Sequence, residues 1–256
     1  MTRLLYFLLC IYLNQSDFKS KIRKMKVSDV LSLLEENKNE RGIENWKKLR
    51  EGKNTLKSFG IGLTVLRKLA KQIGRNRALA LKLWESDYYD AKVISLLIDD
   101  PKLITIEQAE SQVEQLEEGY LAHVFSSCNA TLAKTPFTVE LSDKWINSDH
   151  PMRRSCGYGL LYETSKSKKK SAPNNEYFID HIKTIEELFG KESIPIKMAM
   201  AGALMGMGMR NVELNTIALR VARLMGPIKF DKTGKCAPFD VAKNLTSDYA
   251  KQKFGL

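Results

Sequence analysis

From Val27 onward the apolar residues recur at helical spacing almost without interruption, and no sustained period-two alternation sets in. That pattern argues against a sheet of any size and leaves a chain of amphipathic helices. Val27, Val30, Leu31 and Leu34 mark a first apolar face, residues 37–42 break it, and Trp46 and Leu49 open a short second segment. Lys53-Asn54 and Ser58-Phe59-Gly60-Ile61-Gly62 form a loop whose glycines permit sharp turns. Residues 64–73 then read as a helix, apolar at Val65, Leu66, Leu69 and Ile73 and basic at Arg67, Lys68 and Lys71. Gly74 closes it.

Beyond this point helices follow in pairs: 77–84 with 88–98, 106–116 with 120–132, 137–146 with 149–162, and 177–189 with 195–207. Residues 212–225 lead towards a last helix over 239–254. The units run to roughly forty residues, the size of a HEAT-type or armadillo-type helical repeat. The spacing therefore predicts an all-α fold, a superhelical stack of antiparallel helix pairs, forming one domain over residues 25–256. Residues 1–24 are expected to lie outside it as an extension. Their apolar run, 4–13, imitates the start of a secretory signal but is too short to span a bilayer and lacks a small-residue cleavage site. Attachment to a membrane surface through this segment is the minority reading.

Charge says what kind of partner to look for. Lys+Arg of 41 against Asp+Glu of 30 gives a formal net charge of +11, which suits a polyanion. The four cysteines are widely separated and there are only three histidines, so a structural metal site is not expected. Reduced thiols in the cytoplasm or nucleus fit better. No cofactor motif is present: no P-loop, no HExxH and no nucleophile elbow.

Three stretches carry candidate chemistry. In 149–162, Asp149 and Pro151 suit a helix start, while Arg153 and Arg154 sit in the first turn, where the helix dipole disfavours cations. Free N–H groups beside two guanidinium forks would seat a phosphate; the plainer reading is two surface arginines on a helix whose Gly157 and Gly159 admit a close neighbour. In 121–135, Ser126-Ser127-Cys128-Asn129 places small polar groups on an otherwise apolar helix, with His123 read as a core residue and Asn129 as a buried group needing partners. In 198–209, five methionines and three glycines read as a core helix packed closely on its neighbours. The basic loop 165–173 reads as a solvated connection that adds sequence-blind phosphate contacts if the partner is DNA.

The order of several motifs resembles the HEAT-like DNA alkylation repair proteins, which include the AlkD-type DNA glycosylases. The matching stretches are residues 39–46, 59–62 with 66–71, and 89–92 through 98–101. Ser127-Cys128-Asn129 before Thr135-Pro136-Phe137, the Arg153-Arg154 helix and Arg210-Asn211 complete the match, which covers most of 25–225. The resemblance implies a concave basic solenoid that grips duplex DNA by its backbone. Active members of the family excise N3- or N7-alkylated purines, using a carboxylate and aromatic rings to stabilise a sugar with oxocarbenium character.

Carried onto this chain, the family's backbone-gripping arginine falls on Arg154, the one residue to which the resemblance gives a part in the reaction. Its first cleft tryptophan falls on Cys128, the catalytic aspartate on Leu132, and the later tryptophan on Gly202. No Asp or Glu lies between Tyr120 and Val139, so a slip in register cannot restore the carboxylate; Asp90 or Glu163 would have to serve. Cys128, Asn129, Leu132 and Gly202 are thus expected to line the cleft. Phosphate contacts are expected from Arg153, Arg154, Lys68, Lys71, Lys92, Lys197 and Arg210, with Arg154 mattering more than Lys168 to Lys170. The expected protein is a monomer that binds duplex DNA with no metal or cofactor. The competing reading is a non-catalytic HEAT-like scaffold for acidic protein partners.

Overall fold

A computed structural model describes residues 25–49, 56–116, 120–230 and 236–255. The N-terminal extension, Lys53 and Asn54 fall outside these. Among the described residues the structure is helical, with only two isolated bridges, Lys57 to Tyr88 and Ile228 to Phe239, in place of strands. The chain divides into two units, one ending at Leu103 and the other beginning at Ile104.

The first unit contains α1 (Val27–Glu36), α2 (Glu40–Leu49), α3 (Leu63–Ile73), α4 (Arg77–Trp84) and α5 (Tyr89–Ile98). Helix α5 is buried over most of its length and packs against α1, α3 and α4. Asn76 starts α4 by accepting a hydrogen bond from the Leu79 N–H, a donor the helix itself leaves without a partner. The loop before α3 is held by Asp90 on α5, which accepts from Phe59 N (2.8 Å), Ile61 N (3.1 Å) and Ser58 Oγ (2.8 Å). Gly60 takes a left-handed φ of 69° there and lies so close to Gly42 that neither position has room for a side chain.

The second unit holds α6 (Ile106–Glu114), α7 (Tyr120–Ser126), α8 (Thr138–Ile146), α9 (Pro151–Ser165), α10 (Asn175–Leu188), α11 (Ile194–Gly208), α12 (Val212–Met225), α13 (Val241–Leu245) and α14 (Asp248–Phe254). Helix α9 is its centre, packed on α7, α8 and α11. The expected pair of α8 with α9 is present, whereas α11 packs mainly on α9 and α12 and only weakly on α10. Gly157 explains how α9 tolerates its glycines: a Cβ there would lie 2.7 Å from the backbone nitrogen of Ile146. About 1 kcal/mol of helix propensity is given up for that approach. Met200 and Met207 are fully buried on α11, beside Leu204 and Ala203, so the methionine helix is core.

The sequence pattern extends α7 to residue 132, and the structure does not. The helix ends at Ser126, Cys128 and Asn129 take left-handed φ values of 58° and 64°, and a 3-10 turn follows at Leu132–Lys134. The apolar spacing continues across this break because both sides face the same core, which is why periodicity alone did not reveal it. Two local expectations change with it: Asn129 is exposed rather than buried, and His123 lies on the surface.

Candidate nucleic-acid interface

Each expected phosphate contact can be followed to its place. Arg153 and Arg154 lie in the first turn of α9, as the sequence implies, but each guanidinium is met by carboxylates from elsewhere in the chain. Arg153 pairs with Glu110 and, through Nε at 2.7 Å, with Glu114, both on α6. Hydrogen bonds from Lys144, Trp145 and Arg153 outweigh the effect of burial on Glu110 and hold its carboxyl below the usual range. Arg154 donates from Nε and Nη2 to Glu192 at 2.8 and 3.1 Å, and from Nη1 to the carbonyls of Ser148 and Asp149, each at 2.9 Å. These bonds resolve the conflict between two cations and the positive end of a helix. They also occupy most of the fork that a phosphate would use.

Lys92 is half-buried, with its ammonium on the Trp84 carbonyl and 4.7 Å above the Trp84 ring, and burial lowers its pKa. It ties α5 to α4. Lys197 rests above the Phe189 ring at 5.3 Å. By contrast, Lys68 and Lys71 are exposed on α3, with no ion-pair partner among the described residues. They form a solvated basic face on the first unit.

Arg210 belongs to a different setting. Its Nη1 donates to the carbonyls of Ser165 and Ser167 where α9 ends, and its guanidinium stacks 4.3 Å from the Phe178 ring. Nε is buried and has no partner among the described residues, and burial lowers the pKa of the group. Arg210 borders an open cavity of about 630 Å³ between the ends of α9 and α11, residues 166–168 and the C-terminal helices. Lys166, Lys168 and Lys253 stand around it with Tyr162 and Tyr249, and no carboxylate is among its lining residues. Lys166 is paired with Glu163, whose Oε2 lies 2.6 Å from its ammonium while Oε1 is buried without a partner among the described residues. The sequence did not single out this gathering of four cations around one hollow. Lys166 and Lys168 share the basic loop, but Arg210 and Lys253 come from elsewhere in the chain, so no single run of residues announces it.

At the positions implied for the cleft chemistry, Leu132 is buried at 3% exposure in its 3-10 turn, and its carbonyl accepts from Thr135 and Thr138. It is a core residue. Gly202 sits on α11 with open space where a side chain would project, and Cys128 is partly exposed. Asp90 is fully buried and saturated by its loop. Among the described residues no three His, Cys, Asp or Glu side chains converge as metal ligands, and no helix is long and apolar enough to cross a membrane.

An all-helical protein with cationic faces is the class these observations define. Its fold matches a solved structure with a TM-score of 0.76 at 20% identity, covering 91% of this chain and 97% of the other. That structure is described as belonging to a new family related to the HEAT-like repeat DNA glycosylases, with affinity for branched DNA. The model of the DNA alkylation repair enzyme family matches residues 30–229, and the chain belongs to that family. Two uncharacterized Listeria proteins are also similar: Lin0241 of Listeria innocua at 23% identity and Lmo0209 of Listeria monocytogenes at 24%. Each aligns over 177 residues, 68% of this chain and 75% of the relative.

Proposed function

We propose that the protein binds DNA through the sugar-phosphate backbone, favours branched over linear duplex, and does not excise alkylated purines by the family's carboxylate route. The observation that carries the reading is the cavity bordered by Lys166, Lys168, Arg210 and Lys253, with no carboxylate among its lining residues and one of its cations, Lys166, paired with Glu163. Exposed ammonium groups neutralise phosphates without reading sequence, and each contact releases counterions. Lys68 and Lys71 give the first unit exposed cations of the same kind. The affinity for branched DNA described for the structural relative supports the choice of ligand. Burial of Leu132 supports the absence of excision, since stabilising a sugar cation needs an ionised group facing it. Such a protein would work in the cytoplasm or nucleus.

The test pairs two measurements on one preparation. Fluorescence anisotropy compares a four-way junction with a linear duplex of equal length, and chromatography follows release of N3- and N7-methylpurines from methylated duplex. Junction binding without release is expected. Release of methylpurines would overturn the non-excising part and direct attention to Glu163. Failure to bind either DNA, with capture of acidic peptides instead, would favour the scaffold reading.

A further inference from the structure

The cavity at the ends of α9 and α11 holds an aromatic side chain that phosphate binding alone does not use. Tyr249 lines it at 67% exposure, and no ring or cation packs on it among the described residues. Tyr162, the other tyrosine there, is part of the wall: Lys166 lies 4.5 Å above its ring, and a Cβ on Gly206 of α11 would come within 2.7 Å of it. An exposed tyrosine needs no explanation by itself, but one set among cations in a cavity does.

The wall that carries Tyr249 is built in advance of any ligand. Helix α13 is fixed by buried Val241 and Leu245, and Asn215 of α12 donates to the carbonyls of Gly208 and Leu245 at 3.1 and 3.3 Å. Leu245 packs 2.8 Å from where a Cβ on Gly208 would stand. Helix α14 is held by buried Ala250 and by Lys253, whose ammonium donates to the Met209 carbonyl. An ammonium has three N–H groups, so Lys253 keeps donors for a phosphate. The match of the family model ends at residue 229, so the helices that bring Tyr249 and Lys253 lie beyond it.

Size and chemistry narrow the ligand. The cavity's volume of about 630 Å³ falls within the roughly 300–1,000 Å³ of small-ligand sites. That is room for one nucleotide, whereas a duplex could only lie across the mouth. Inside a duplex both faces of every base are covered by its neighbours. An unpaired nucleotide presents a bare π-face and a phosphate together, and an aromatic ring among cations holds single strands without reading their sequence.

We propose that the cavity seats one unpaired nucleotide, its base stacked on Tyr249 and its phosphate drawn to Lys168 and Lys253. The proposal deepens the DNA-binding reading and rests on it: a branch point offers unpaired nucleotides and a linear duplex does not. A free nucleotide shares this chemistry. A strand is the better ligand, because exposed Lys169 and Lys170 continue the basic loop beyond Lys168 and can meet its further phosphates.

The test uses the full chain and two DNAs of equal paired length, a blunt duplex and a fork whose unpaired arms carry 2-aminopurine beside the branch. Anisotropy reads affinity, and 2-aminopurine emission, which stacking quenches, reads the base. Emission should fall when the fork binds. Tyr249→Ala should weaken fork binding about tenfold and abolish the emission change, with blunt-duplex affinity within about twofold of the unaltered protein. Tyr249→Phe keeps the ring and should behave as the unaltered protein. The side chain is exposed, so the fold should hold, with circular dichroism as the check. Competition needs no variant: a single-stranded oligonucleotide displacing the fork at lower nucleotide concentration than deoxyadenosine monophosphate names the strand as the source, and equal displacement names the free nucleotide. Fork affinity and emission unchanged in Tyr249→Ala, equal loss on fork and blunt duplex, or failure of both competitors would overturn the nucleotide seat and leave phosphate binding standing. No binding of either DNA by the unaltered protein would instead remove the reading beneath it, and the seat with it.

Discussion

Glu192 holds Arg154 by two points, Oε1 to Nε at 2.8 Å and Oε2 to Nη2 at 3.1 Å, between the segment after α10 and the first turn of α9. The pair is mostly shielded from solvent, so removing the arginine strands a carboxylate with little water to solvate it. Arg154→Ala should therefore destabilise the fold by about 2–4 kcal/mol, towards the lower end for a buried pair because part of it remains exposed. Urea unfolding measures this. In the folded fraction, DNA affinity should change by less than about twofold, since that fork is already occupied.

Replacing Lys168, Lys169 and Lys170 should do the opposite. These side chains are exposed and without ion-pair partners among the described residues, so alanines there leave stability unchanged. Affinity should fall, and the slope of log affinity against log salt should become shallower by about 0.9 for each phosphate that is no longer neutralised. The sequence ranks Arg154 above this loop; the prediction reverses that order because Glu192 already holds the Arg154 fork.

That reversal marks how far the sequence could be followed. Helical periodicity and the Gly60-Ile61-Gly62 loop were legible because each follows from spacing or from a residue's own conformational range. So was the start of α9, where Pro151 and its helical register survive in the fold. What lies across the chain was not. Arg153 meets acids some forty positions earlier, Arg154 one nearly as far ahead, and Lys253 borders the same cavity as Lys166. The left-handed turn at Cys128 was hidden for another reason: apolar residues on both sides face one core, so the period runs on through a broken helix.

Asp90 should prove structural rather than chemical. Asp90→Ala leaves the N–H groups of Phe59 and Ile61 buried without their acceptor. Two such donors cost about 2–5 kcal/mol together. Reduced thermal stability with DNA affinity intact in the folded protein is the expected result, read by circular dichroism and anisotropy.

Glu110 gives the second unit an acid-side dependence. Its carboxyl is held below the usual value in the folded protein, so the unfolded chain takes up its proton first as pH falls. The stability contributed by its bonds to Lys144, Trp145 and Arg153 is fully present above the unfolded value of 4.5 and is lost as pH falls through the lower folded value. Glu110→Gln should flatten the decline in unfolding free energy below that point, measured by urea titration at successive pH values.

The most direct measurement is junction binding by the double charge reversal Lys168→Glu with Lys253→Glu, compared with the unaltered protein at two salt concentrations. Both side chains are exposed at the cavity, and Lys253 gives up one hydrogen bond, to the Met209 carbonyl, so circular dichroism of the variant accompanies the binding data. Affinity weakened at least about tenfold, or by about 1.4 kcal/mol, together with a shallower salt dependence, is what a phosphate-binding cavity requires. Unchanged affinity and an unchanged salt slope would contradict it.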